Sequence, residues 1–360
     1  MRWLQASMST KTTSDRPESQ ASRRPDRRAR LWQGVRWGLA LLLAGVAAWL
    51  SVRQIHWPEL GAVLAESNRL LLGAALATVL ATTTAKAIRW FMLLQSCDAQ
   101  VNGVRVLRML FIGQMGNILL PARLGDVGRA VLAGPRTTGG IPAVLGTILV
   151  EKTLDGLMGL LVLVGLTLWT PLPSWLRGPI LGLAAVTGGL LVLLALAIAR
   201  RQGSMLLIER LIGRLPARAQ MQARKLLTGL QLGLRAIQQP SRALLALALS
   251  GAIWGLAALT NVVTLKALGI VAPAWSTWLV LVTGYVANFL PSLPAQVGVF
   301  EYACLLALTT AGVGREEALA FGLVLHLLVH GPPAILGPLS MAVEGLNWAR
   351  LKEARRRYFA

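Results

Sequence analysis

Lys86, Arg89, Arg123, Asp126, Arg129, Glu151, Lys152 and Asp155 are ionisable residues set among the apolar runs of a 360-residue chain. Lys86 and Arg89 stand one helical turn apart. Arg123, Asp126 and Arg129 fall within the nine residues "PARLGDVGR". Glu151 and Asp155 share a helix face, and Lys152 and Asp155 are neighbours at i, i+3. A charge at the bilayer centre costs at least ~2.5–3.5 kcal/mol, so residues like these need partners or a ligand. An arginine fork suits a phosphate, to which it donates two parallel hydrogen bonds. Two readings are open: an ion-pair cluster that holds helices together, and a polar path for a charged headgroup. One cluster can serve both.

The elements that must position these residues are membrane helices. Hydrophobic residues make up 55% of the chain and charged residues only 14%, against about 25% charged in an ordinary soluble protein. The formal net charge of +21 raises the question of nucleic acid. Most basic residues lie in three polar segments between or beyond the apolar runs, which argues for no nucleic-acid partner. Cys97 and Cys304 provide no metal or disulfide framework.

The apolar runs predict spans at 35–53, 70–94, 141–169, 178–199, 242–268 and 317–344, each near the ~20 residues that a spanning helix needs. Residues 1–34 read as a disordered basic tail, 35–345 as the membrane domain and 346–360 as a second basic tail. The basic segment 200–240 has the spacing of amphipathic helices on a membrane surface. Lys and Arg outnumber acids nine to three in residues 1–36, seven to one in 200–225 and five to one in 347–360. Both termini and the 200–240 segment are therefore expected in the cytoplasm.

That orientation leaves 104–134 entering and leaving from the cytoplasmic side. The run from Met109 to Leu120 gives about 18 Å of helix, roughly half a hydrocarbon core, before Pro121 stops it. The expectation is a re-entrant pair of half-helices, whose irregular backbone survives at depth only beside protein or a water-filled cavity. Residues 275–313 repeat the device. Asn117, Pro121, Gly125 and Asp126 have loose counterparts in Asn288, Pro291, Gly298 and Glu301. The expected fold is thus all-α: a polytopic integral membrane helix bundle built as an inverted repeat with two re-entrant half-helix hairpins. Its substrate site would lie at the repeat interface. The rival reading makes 275–291 and 296–313 two short spans.

His326 and His330 stand at i, i+4 on the last span without an evident third ligand. Structural contacts near Gly331-Pro332-Pro333 are expected there, not a metal site. No phosphate-binding loop, G-x-S-x-G, H-E-x-x-H or Cys/His set occurs in the chain, so no cofactor, metal or catalytic residue is assigned.

Four stretches occur in order: "RWFMLL", "GNILLPARLGDVGRA", "EKTLDGLMGL" and "LPAQVGVFEYA". Together they resemble the transmembrane region of lysylphosphatidylglycerol synthases, the flippase-like domain family. Asn117, Pro121, Arg123, Gly125 and Arg129 match that family's first broken segment, with Asp126 where Glu is usual. Glu151 and Asp155 match its acidic pair. Gly298 and Glu301 match its second broken segment, although Gln296 and Val297 stand where glycines are common.

The resemblance implies a stand-alone lipid-handling membrane domain without the soluble aminoacyl-transferase domain. Under that reading Arg89, Arg123 and Arg129 bind an anionic headgroup, with Asp126 steadying an arginine in the empty site. The headgroup cavity would be completed by Asn117, Pro121, Gly125, Glu151, Asp155, Asn288, Gly298 and Glu301. The expected partner is a membrane lipid in a bacterial cytoplasmic membrane. A homo-oligomer and a partner lipid-modifying enzyme are both compatible with this reading. The alternative is a membrane-embedded enzyme or accessory subunit acting on a lipid-linked substrate.

Overall fold

The computed structural model describes residues 46, 49, 55–120, 124–170, 173–198, 213–214, 216–288 and 294–346. Pro121, Arg123, Pro291, nearly all of the expected first span at 35–53, residues 199–212 and the tail from 347 lie outside them. Among the described residues there are eleven α-helices and no strand. They are α1 (Trp57–Ala65), α2 (Arg69–Gln95), α3 (Gly103–Leu119), α4 (Leu124–Ala133), α5 (Gly140–Thr167), α6 (Arg177–Ile198), α7 (Ala217–Leu234), α8 (Pro240–Ala267), α9 (Ala274–Ala287), α10 (Val299–Thr310) and α11 (Arg315–Val343).

Helices α2, α6, α8 and α11 are long and apolar enough to cross a membrane. Helix α5 matches them in length but carries Glu151, Lys152 and Asp155 at its middle. The chain is a multi-pass helical membrane protein.

Local chemistry sets several boundaries. Asn68 accepts hydrogen bonds from the Leu70 and Leu71 amides and so caps α2. Asn102 accepts from the Arg105 amide and starts α3 earlier than the apolar run alone indicates. The expected 12-residue half-helix is therefore the end of a 17-residue helix, about 25 Å long. Its first two turns carry Arg105 and Arg108, which both pair with Glu344 just beyond α11. Helix α11 runs through Pro332, Pro333 and Pro338, which membrane helices tolerate when neighbouring groups satisfy the freed carbonyls.

Helix α4 folds back along α3, and α10 folds back along α9. Helices α2 and α8 lie against each other, α11 packs on α3 and α10, and α5 packs on α4 and α7. Ala217–Leu234 of the basic segment is a helix docked on α5. The contact is close enough that a side chain on Gly233 would overlap the Ala143 carbonyl oxygen and one on Gly229 would press on Pro142. One apolar cluster, with Met109, Ile112 and Met115, surrounds the first hairpin. Another, with Leu279, Leu305 and Phe321, surrounds the second.

Candidate functional site

The first hairpin closes through small residues and one asparagine. Gly125 meets α3 so tightly that a side chain there would overlap the Gly113 carbonyl oxygen and the Asn117 amide. Asn117 then clamps the start of α4. Its Oδ1 accepts from the Asp126 amide at 3.2 Å, and its Nδ2 donates to Asp126 Oδ1 at 3.3 Å. The clamp holds Asp126 at the hairpin's inner face.

Arg129, one turn further along α4, crosses to α5. Its Nη1 donates to Glu151 Oε1 at 3.2 Å and its Nη2 to Glu151 Oε2 at 2.8 Å. Nη1 also reaches Asp126 Oδ1 at 3.3 Å. The guanidinium lies 4.1 Å from the Trp90 ring centroid, a cation–π stack that favours the charged form. The side chain is only 3% exposed. Arg89 of α2 is fully buried and donates from Nη1 to Asp155 Oδ1 and to Ser250 Oγ, each at 2.7 Å. Both arginines thus carry their own carboxylates and tie helices together.

The lysines are placed differently. Lys152 is 31% exposed, with Nζ 3.1 Å from Asp126 Oδ2 and 3.8 Å from Glu151 Oε1. Lys86 lines the cavity beside this cluster. Among the described residues no carboxylate lies within ion-pair reach of it. Gln114 also lines the cavity, and its buried Oε1 has no hydrogen-bond partner among the described residues.

The second hairpin has its own asparagine link. Gln296 Nε2 donates to Asn288 Oδ1 at 2.8 Å, and Asn288 Nδ2 donates to the Gly284 carbonyl. Ala295 and Gln296 adopt φ of 61° and 60°, a left-handed backbone that costs a residue with a side chain about 1–2 kcal/mol. Glu301 Oε2 accepts from the Gly298 amide at 2.7 Å and caps α10. Its Oε1 stands 2.8 Å from His326 Nδ1 on α11.

A central cavity of about 330 Å³ lies between the hairpins. Of the residues singled out from sequence, Asn117, Asp126, Arg129, Glu151, Asp155 and Asn288 line it. Arg89, Gly125, Gly298 and Glu301 stand behind that wall and shape it. Pro121 and Arg123 lie outside the described residues. Sequence reading puts Lys86 and Lys152 in the polar path but not in the headgroup cavity, and it does not place Gln114, Gln296, His330 or Tyr285 in the site; all line this cavity. A usable signal for Gln114 is its i, i+3 spacing to Asn117, which puts both on one face of α3.

A second cavity of about 350 Å³ adjoins the first between α5 and α6. Leu145, Ile148, Leu149, Val186 and Leu190 give it a hydrocarbon lining. Asp126, Lys152 and Tyr285 border both cavities.

Residues 37–337 match the family described as the lysylphosphatidylglycerol synthase TM region. The chain is also similar to Glycosyltransferase AglD of Haloferax volcanii, with 26% identity over 333 residues, covering 84% of this chain and 53% of that protein. The chain thus spans about half the length of this curated relative. With two-thirds and more of its length matched, the chain belongs to the family of lysylphosphatidylglycerol synthase transmembrane regions.

Proposed function

We propose that the chain binds a phospholipid, or another lipid with an anionic headgroup, and carries it across a bacterial cytoplasmic membrane. The observation that carries this reading is the junction of a polar cavity with a hydrocarbon groove at Asp126, Lys152 and Tyr285. An amphipathic ligand fits that junction, with its headgroup in the central cavity and a tail in the groove.

Charge favours an anion. On the first-hairpin side of the cavity Lys86, Arg89, Arg129 and Lys152 stand with Asp126, Glu151 and Asp155, which leaves a surplus of one cation on that side among the described residues. The surplus falls on Lys86, for which the other described side chains provide no ion pair. A low-dielectric surrounding strengthens its attraction for a phosphate. In this reading Lys86 and Lys152 contact the headgroup, and Arg89 and Arg129 hold the wall in place.

The helix contacts support an inverted repeat. Exchanging α2, α3, α4 and α5 for α8, α9, α10 and α11 maps each major contact within one unit onto a contact within the other. The α3–α11 contact likewise maps onto α9–α5. Arg129 bridging to Glu151 then has its counterpart in Glu301 facing His326. Helices α9 and α10, at 14 and 12 residues, are about 21 and 18 Å long. Both fall short of a ~30 Å hydrocarbon core, which favours a re-entrant hairpin over two spans. With the basic segments cytoplasmic, the first hairpin enters from the cytoplasm and the second from outside.

A second reading, an enzyme or accessory subunit acting on a lipid-linked substrate, draws on the likeness to Glycosyltransferase AglD. Reconstitution separates the two. Movement of fluorescent phosphatidylglycerol between liposome leaflets, with the lipid recovered intact, supports translocation. A new lipid species without movement supports the second reading.

A further inference from the structure

We propose that Glu301, His326 and His330 form a proton-binding site on the second-hairpin side of the central cavity, and that its protonation strengthens anion binding there. The proton site stands independently of the lipid reading; its coupling to headgroup binding rests on that reading.

The three side chains converge from two helices. Glu301 Oε1 stands 2.8 Å from His326 Nδ1. The His326 and His330 ring centroids are 4.3 Å apart, with the planes tilted by 35°. Phe300 meets both rings edge-on, at 5.5 and 5.4 Å, and with His330 it lines the cavity. His330 Nδ1 lies 3.2 Å from the His326 carbonyl oxygen. A carbonyl only accepts, so the proton of neutral His330 sits on Nδ1 and Nε2 is the basic atom. His326 places its Nδ1 against the Glu301 carboxylate without an aligned hydrogen bond.

The geometry limits the site to one added proton. Two adjacent imidazolium ions in a poorly solvated place repel each other, so one ring charges at a time. With both rings neutral, the Glu301 carboxylate leaves the site at −1. One proton brings it to zero. The Glu301 carboxylate, 2.8 Å from His326 Nδ1, makes that ring the one placed to hold the added proton.

Other ionisable groups near the site either lie across the cavity or are inert. Lys86 comes from α2, Asp126 and Arg129 from α4, Glu151, Lys152 and Asp155 from α5, and Tyr285 from α9. Helices α3 and α8 line the cavity with uncharged side chains. Cys304, one turn beyond Glu301, is buried against Gly322. A metal ion suits the site less well. Among the described residues, only His56, Glu59 and Glu316, at the α1–α11 contact, bring three metal-type ligand atoms within 4.8 Å of one another.

The permanently charged pairs of the first hairpin thus face a second hairpin whose charge changes with pH. One negative charge fewer across the cavity favours an anionic headgroup by about tenfold, for charges on the order of 12 Å apart at an effective dielectric near 20.

The chain has three histidines, so the test uses histidine-selective ¹⁵N NMR on the full chain in nanodiscs. A His56→Asn background leaves only the two ring systems in question. The ring pair is expected to take up a single proton between pH 5 and 8, and Glu301→Gln, which still accepts from the Gly298 amide, is expected to displace that one midpoint by about one unit or more. Rings that do not titrate in this range, or that ignore Glu301→Gln, overturn the proton site. Transfer of fluorescent phosphatidylglycerol is expected to fall about tenfold from pH 5.5 to 8 and to lose that dependence in Glu301→Gln and His330→Asn. A flat wild-type profile with titrating rings overturns the coupling alone. Absence of transfer at every pH counts against the lipid reading, and the ring titration then decides the site by itself.

Discussion

Arg129 holds Glu151 with both terminal guanidinium nitrogens, at 3.2 and 2.8 Å, while stacking 4.1 Å from the centre of the Trp90 ring. One side chain thereby fastens α4 to α5 and seals both against α2. Glu151 and Arg129 are almost wholly buried, so removing one partner strands a charge away from water. Glu151→Gln is expected to destabilise the folded protein by about 3–5 kcal/mol. The double variant Arg129→Met, Glu151→Leu should melt at a higher temperature than either single change. A Glu151→Gln protein that melts with the wild type would contradict a fastening role.

Two glycines on one short helix make a controlled pair. A methyl group on Gly125 overlaps the α3 backbone, whereas one on Gly128 meets nothing within 4 Å. Gly125→Ala is expected to lower folded yield and melting temperature sharply, because backbone cannot move aside as a flexible side chain can. Gly128→Ala should be silent or slightly stabilising, since alanine favours helix by up to about 1 kcal/mol. Equal effects from the two changes would count against a close α3–α4 hairpin.

The hydrocarbon groove between α5 and α6 offers a steric test. Leu149→Trp fills space lined by Ile148, Val186 and Leu190. Transfer of long-chain phosphatidylglycerol is expected to slow severalfold, while a short-chain analogue is affected less and melting temperature changes little. Equal slowing of both lipids would remove the groove from the tail's path.

The broad architecture was legible because it depends on apolar run length and local breakers. Runs near 70–94, 242–268 and 317–344 coincide with α2, α8 and α11. The ion pairs were not legible, since which arginine meets which acid depends on helix rotation and on contacts across long stretches of chain. Arg89 and Asp155 are 66 positions apart. Lys86 and Arg89 show how fine that dependence is. Three residues fall about 60° short of a full turn, enough for Arg89 to reach Ser250 inside the bundle while Lys86 lines the cavity. Asn102 likewise moved the start of α3 outward through a side-chain cap that hydropathy does not register. The histidine pair gave no hint of Glu301, which reaches His326 only because α10 folds beside α11.

Orientation is testable without any ligand. Reporter fusions after Ser204 and Ala360 are expected to signal cytoplasm, and one at Ser174 the outside. A cytoplasmic signal at Ser174 would reverse the side from which each hairpin enters.

The most direct test of headgroup binding in the central cavity uses Lys86→Gln, with melting temperature and transfer of fluorescent phosphatidylglycerol measured on one preparation. Gln keeps most of the length and can still donate a hydrogen bond, but it lacks the charge. Lys86 makes no ion pair among the described residues, so stability should hold within about 1 kcal/mol. Loss of a charge-assisted contact worth about 1.5–3 kcal/mol should reduce transfer at limiting lipid at least tenfold. Wild-type transfer from a well-folded Lys86→Gln protein would contradict the account.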